Sequence, residues 1–128
     1  MGFYGFYLTK ILINRGVEVI GVDTKVGRTQ KKSQQPGSRG FLTLIKCDIR
    51  DAEGIRRVIH DQEPDVIVHL AARISIDESM EDPRLYFEVN NGGTFNIADA
   101  IMKCKSDTLL IYSSSSEVYG NPRHVPMD

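Results

Sequence analysis

Residues Gly2–Asp23 read GFYGFYLTKILINRGVEVIGVD, and their succession of glycine, helix, glycine and strand decides the fold class. Gly2 and Gly5 open the stretch. From Phe3 to Arg15 the apolar residues Phe3, Phe6, Tyr7, Ile11 and Leu12 recur with helical spacing, and Gly16 follows as a helix stop. Val17–Val22 (VEVIGV) is a short β-branched run of strand type, and Asp23 stands at its end, 21 residues after Gly2. This is the spacing of a dinucleotide-binding segment. Glycines let backbone N–H groups approach a pyrophosphate, a helix N-terminus offers unpaired donors, and an acid about 20 residues on accepts from a ribose 2′-OH. Asp23 would repel a 2′-phosphate, which favours NAD over NADP. On spacing alone, a glycine-rich helix start with a solvated strand-end acid remains the alternative.

Outward from this stretch, Thr24–Gly40 is polar and reads as a long loop, and Phe41–Lys46 fits a second strand. Asp51 caps a helix to about Asp61, and Pro64-Asp65 breaks it. Val66–Leu70 (VIVHL) is a nearly continuous apolar run suited to a buried parallel strand. Ser79 or Asp82 opens a long helix to about Lys103, with Pro83 allowed in its first turn, and Thr108–Tyr112 (TLLIY) is the next strand. A serine run and a loop lead to Asp128. Strands alternating with helices predict right-handed βαβ crossovers, an α/β class and a parallel sheet covered on both faces.

Composition excludes other classes. The 16 Lys and Arg balance 17 Asp and Glu with no basic block, so neither nucleic acid nor a charged membrane surface is suggested as a partner. Cys47 and Cys104 lie far apart without metal-ligand spacing, so no metal is expected, and a reducing cytoplasm fits. No export signal or membrane-spanning run is visible.

Five blocks in order carry a resemblance. Gly2–Asp23 is similar to the nucleotide-binding segment G-x-x-G-F-I-G, helix, R-G, strand, Asp of the extended short-chain dehydrogenases. Cys47–Asp51 (CDIRD) resembles their D-I/L-R-D element, Pro64–Ala72 (PDVIVHLAA) their PDVVIHLAA, Val89–Asn96 (VNNGGTFN) their V-N-x-x-G-T-x-N, and Ser113–Gly120 (SSSSEVYG) their S-S-x-x-V-Y-G. The chain is thereby identified as a member of the NAD-dependent epimerase/dehydratase family of nucleotide-sugar enzymes. The resemblance implies a Rossmann-like doubly wound sheet forming one partial NAD(P)-binding domain over 1–128. It also implies NAD as cofactor, a nucleotide-sugar substrate and a homodimeric full-length form. Carried over residue by residue, Gly2, Phe3 and Tyr4 lie against the pyrophosphate, Asp23 binds the adenosine ribose, and Asp48 and Ile49 flank the adenine. Leu70, Ala71 and Ala72 pass beside the nicotinamide half with Ser113, and Asn90 braces the strand-end loops. The residue-level alternatives are a packed strand end for Leu70–Ala72, a local side-chain bond for Asn90, and backbone-binding turn serines for Ser113, Ser114 and Ser116. His69 reads as a satisfied histidine within a strand rather than a base.

The family oxidises a sugar hydroxyl with a tyrosine whose pKa is lowered by a lysine four residues on, assisted by a Ser or Thr. Ser115 is that serine. No tyrosine of this chain is followed by lysine at that spacing. The family's first strand, central between the strands beginning near Val17 and Val66, precedes the position matched by Gly2. The chain is therefore expected to be part of a longer protein, its sheet lacking that strand and its catalytic machinery incomplete. Glu117 is a further catalytic candidate, with a surface-loop carboxylate as its alternative. Dehydratases resemble Thr-Asp-Glu where this chain has Ser115-Ser116-Glu117, so Ser116 counts against water elimination. The resemblance ranks a UDP-glucose/galactose-type 4-epimerase first and a UDP-glucuronate-type decarboxylase second, with an inactive NAD-binding module as the rival class.

Overall fold

The computed structural model describes residues 2–26, 30–34, 36–104, 107–121 and 123–124. Helix α1 (Phe3–Asn14) starts directly after Gly2, whose extended backbone forms the N-cap and whose carbonyl accepts from the Phe6 N–H at 3.0 Å. Gly16, at φ 87°, turns the chain out of the helix in a conformation that a side chain disfavours. Strand β1 (Val19–Asp23) follows.

Strand β3 (Leu42–Lys46) runs parallel to β1, with Val19 opposite Leu42 and Asp23 opposite Lys46. The entry into β3 passes so close to the entry into β1 that a Cβ on Gly40 would lie 2.1 Å from the Val17 carbonyl oxygen. The stretch expected to be loop, Thr24–Gly40, contains strand β2 (Gln30–Ser33), antiparallel to β3. Its sequence, QKKS, has no apolar alternation, so local pattern could not reveal it. It pairs with the edge of β3 that β1 leaves open. This part of the sheet is therefore mixed rather than wholly parallel.

Helix α2 (Ala52–Gln62) is capped by Asp51, whose carboxylate accepts from the Gly54 N–H at 2.9 Å. Strands β4 (Val66–His69) and β5 (Leu109–Tyr112) pair in parallel, Val66 opposite Leu109 and His69 opposite Tyr112. The single long helix expected between them is instead broken. Ser75 caps α3 (Ile76–Glu81), and Asp82 leaves helical geometry and caps α4 (Pro83–Phe87). A π-helical turn (Glu88–Gly92) then leads into α5 (Gly93–Lys103). Pro83 has no N–H to continue the preceding helix, which is why the break falls there.

The core is one layer of contact between helices and strands. Ile55 and Ile59 of α2 meet Ile97 and Ala100 of α5, and Val22 of β1, Ile67 of β4 and Leu110 of β5 pack on them. Helix α1 packs on β1 and contributes nothing to that cluster. Although both sets of strands lie on this common helical layer, the sheet is in two parts, β1–β3–β2 and β4–β5, and no described residue pairs β1 with β4. The break falls where the resemblance places a further strand. On the opposite face of β4 and β5, Val66, Val68, Leu109 and Ile111 stay exposed, as the two-residue alternation of a strand requires once Ile67 and Leu110 point into the core.

Candidate functional site

Parallel strands deliver their following loops to one edge of a sheet, and most of the expected site residues sit in such loops. Asp23 closes β1. Its Oδ1 accepts from the Lys25 N–H at 2.7 Å; burial pushes the carboxyl up, but that amide and the positive charge around it more than offset the effect, so it lies below its ordinary value. Asp48 and Ile49 follow β3. Arg50 binds both Asp48 carboxylate oxygens, with Nε 3.1 Å from each and Nη2 2.7 Å from Oδ2, and this guanidinium holds Asp48 below the usual carboxylate range. Ile49 lies against α5, where a Cβ on Gly93 would come within 2.4 Å of its Cδ1, and its carbonyl accepts from Asn96 Nδ2 at 2.9 Å.

Leu70, Ala71 and Ala72 follow β4 as an exposed irregular loop. That loop separates two open hollows. One, of about 350 Å³, is lined by Tyr4, Tyr7, Leu8 and Ile11 of α1 together with Leu70 and Ser113. The other, of about 310 Å³, is lined by Lys25, Ala72, Arg73, Ile74, Ser75, Glu78 and Tyr86. Arg73 there pairs with Glu78 at 2.6 Å and lies 5.4 Å from the centre of the Tyr86 ring. Gly2 leads into α1 with no side-chain cap bond, and a Cβ there would meet nothing within 4 Å. Phe3 and Tyr4 are largely exposed.

The structure thus brings Tyr4, Leu70 and Ser113 around one hollow and sets Ala72 on the other, while Asp48 and Ile49 line neither. Ser115 and Glu117 form one local unit away from both: the Ser115 Oγ accepts from the Glu117 N–H at 3.2 Å at the start of a 3₁₀ turn, Ser116–Tyr119. Asn90 lies in the π-helical turn, and its carboxamide bonds both the N–H and the carbonyl of Arg73. His69 is buried, with Nε2 2.9 Å from the Thr94 hydroxyl. Sequence reading missed Thr94 and the π-helical turn, although Thr94 was within reach as the threonine of the V-N-x-x-G-T-x-N block. Among the described residues no group of three or more His, Cys, Asp or Glu gathers as a metal site, and no helix is long and apolar enough to cross a membrane.

Comparison with known proteins places this geometry. CDP-paratose 2-epimerase of Salmonella typhi is 32% identical over 122 residues, covering 94% of this chain and 36% of the relative. The crystal structure of UDP-glucose-4-epimerase from Stenotrophomonas maltophila, with bound NAD and formylated UDP-arabinopyranose, superposes with a TM-score of 0.81 at 26% identity, covering 98% of this chain and 38% of that one. UDP-glucose 4-epimerase from Brucella ovis in complex with NAD gives a TM-score of 0.80 at 28% identity over 98% of this chain and 37% of its own. The chain spans well under half the length of each. The model of the GDP-mannose 4,6 dehydratase family matches residues 1–128, and with that match over its full length the chain belongs to this family of NAD-dependent epimerases and dehydratases.

Proposed function

We propose that the chain is the NAD-binding part of a nucleotide-sugar 4-epimerase of the UDP-glucose/galactose type. The observation that carries this reading is the hollow shared by the first turns of α1 and the ends of β4 and β5, where Tyr4, Leu70 and Ser113 meet. The residues fit the cofactor. An N-cap glycine with open space above it offers the first amides of α1 to a pyrophosphate, and Asp23 at the end of β1 offers a carboxylate to ribose hydroxyls. Exposed Leu70, Ala71 and Ala72 offer an apolar edge to a planar ring. Asp48 and Ile49 lie on the adenine side, and Asn90 holds the loop from behind.

When bound, NAD supplies the chemistry of accepting a hydride from a sugar carbon. Ser115 keeps its hydroxyl proton available while its oxygen caps the 3₁₀ turn, and so holds the reacting sugar hydroxyl by a hydrogen bond. Glu117 adds a carboxylate beside it. Ser116, in place of an acid, favours epimerisation over water elimination; the uronate decarboxylase reading is second because its triplet is similar. Free Cys47 and Cys104 support a reducing cytoplasm, and a homodimer belongs to the same reading of the whole protein.

Grafting residues 2–121 into the Brucella ovis 4-epimerase in place of the matching segment tests the assignment. Retained interconversion of UDP-glucose and UDP-galactose is the expected result. A folded, NAD-loaded chimera without that activity would overturn the 4-epimerase assignment.

A further inference from the structure

The loop Leu70–Ala72 is tied at both ends to one piece of chain. At its far end, Asn90 in the π-helical turn bonds the Arg73 N–H and carbonyl, each at 2.9 Å. At its near end, His69 Nε2 lies 2.9 Å from Thr94 Oγ1, near the start of α5. Thr94 in turn donates its hydroxyl proton to the Asn90 carbonyl at 2.6 Å. A hydroxyl has one hydrogen, and a carbonyl can only accept. The Thr94 oxygen must therefore accept from His69, which makes Nε2 the protonated ring nitrogen. His69 is 3% exposed, and its neighbours are the Thr94 hydroxyl from α5 and the Tyr112 ring of β5, 5.4 Å away. Burial, with no charged group contributing, lowers its pKa and keeps the ring neutral.

We propose that His69 and Thr94 are positioning residues: a neutral His69, locked as the Nε2–H tautomer by Thr94, fixes the loop Leu70–Ala72 where it meets the nicotinamide half of the cofactor. The proposal rests on the reading of that loop as a cofactor contact. The closed ring of His69, Thr94, Asn90 and Arg73 leaves the three loop residues little freedom between two fixed ends, and the loop itself has no ladder or helix to hold it. Such preorganisation raises affinity by removing the cost of ordering the loop on binding.

Imidazole ¹⁵N–¹H NMR of the chain reads the lock directly. His69 is expected to remain a single Nε2–H tautomer as the pH falls through about 6.5, the ordinary histidine value. Thr94→Val is expected to mix the tautomers and weaken NAD binding about tenfold, the size of one hydrogen bond, while Thr94→Ser and His69→Gln, which keep the groups, restore affinity. An Nδ1–H tautomer, or protonation of His69 at the ordinary histidine value of about 6.5, overturns the proposal. So does NAD affinity unchanged in Thr94→Val. Failure of the parent chain to bind NAD, with the tautomer as expected, overturns the cofactor contact instead and leaves the lock standing as a purely structural one.

Discussion

Asn90 holds Arg73 as one peptide group holds another across a ladder. Its Oδ1 accepts from the Arg73 N–H and its Nδ2 donates to the Arg73 carbonyl, both at 2.9 Å. The pair is separated by 17 residues and joins the π-helical turn to the loop after β4. A side chain thus performs pairing that a strand would otherwise provide, and it does so where the backbone leaves β4 as an irregular, exposed loop.

Asn90→Ala removes both bonds and is expected to lower stability by about 1–2 kcal/mol, and Asn90→Asp, which keeps only the acceptor, by about half that. Denaturant midpoints at constant m check the order of the two variants.

Gly93 stands where Ile49 needs room. Gly93→Ala would gain about 0.5–1 kcal/mol of helix propensity, but its Cβ would fall 2.4 Å from Ile49 Cδ1 and 2.5 Å from Cγ1, so Ile49 must move. Overpacking of this kind costs about 1–3 kcal/mol, and a net loss of stability is expected. Adding Ile49→Ala to Gly93→Ala should cost less than the sum of the two single changes, which a double-mutant cycle measures.

Acid should destabilise the fold in two stages. His69 is held below its ordinary pKa, so the unfolded chain takes up a proton first as pH falls below about 6.5; the stabilisation is complete above that value and is lost down to the folded pKa. Asp48 is also held below its ordinary value, by Arg50, so its contribution is present above about pH 3.9 and is lost as pH falls through the lower folded value. Arg50→Met should raise the Asp48 midpoint, followed by carboxyl ¹³C shifts.

On the proposed NAD-binding reading, Asp23 is the carboxylate that would meet a ribose 2′-OH and repel a 2′-phosphate; Asp23→Ser is then expected to shift the NADP-to-NAD affinity ratio about tenfold toward NADP, or ~1.4 kcal/mol. Titration calorimetry with both cofactors measures the ratio.

The type of element was legible where the local pattern was strong: the apolar spacing of Phe3–Leu12, the β-branched run before Asp23 and the VIVH of β4 each form the element they imply. The buried face was not, since Phe3, Phe6, Tyr7 and Ile11 of α1 and Val66 and Val68 of β4 are exposed, and α1 buries Thr9 and Ile13 instead. β2 was not legible, since its pairing depends on the open edge of β3 rather than on its own residues. Asp82 was legible as a helix opener followed by Pro83, and it caps α4; the short helix α3 before it and the π-helical turn were not, since the Asn90 side chain satisfies backbone groups of Arg73, 17 residues away, and leaves no periodic trace. Of the candidate site, the strand-end position of Asp23 was readable from spacing, and that of Leu70, directly after β4, from the resemblance. The link from His69 through Thr94 to Asn90 was not, because it joins residues 25 apart that only the fold brings together.

Thermal melting of the 128-residue chain with and without NAD bears most directly on the cofactor reading. A ligand that binds only the folded state stabilises it by about 2.7 kcal/mol at 100 times its dissociation constant. A saturable rise in the melting temperature with NAD, reduced in Asp23→Ala, is the expected result; a cooperative melt that NAD does not move would contradict it.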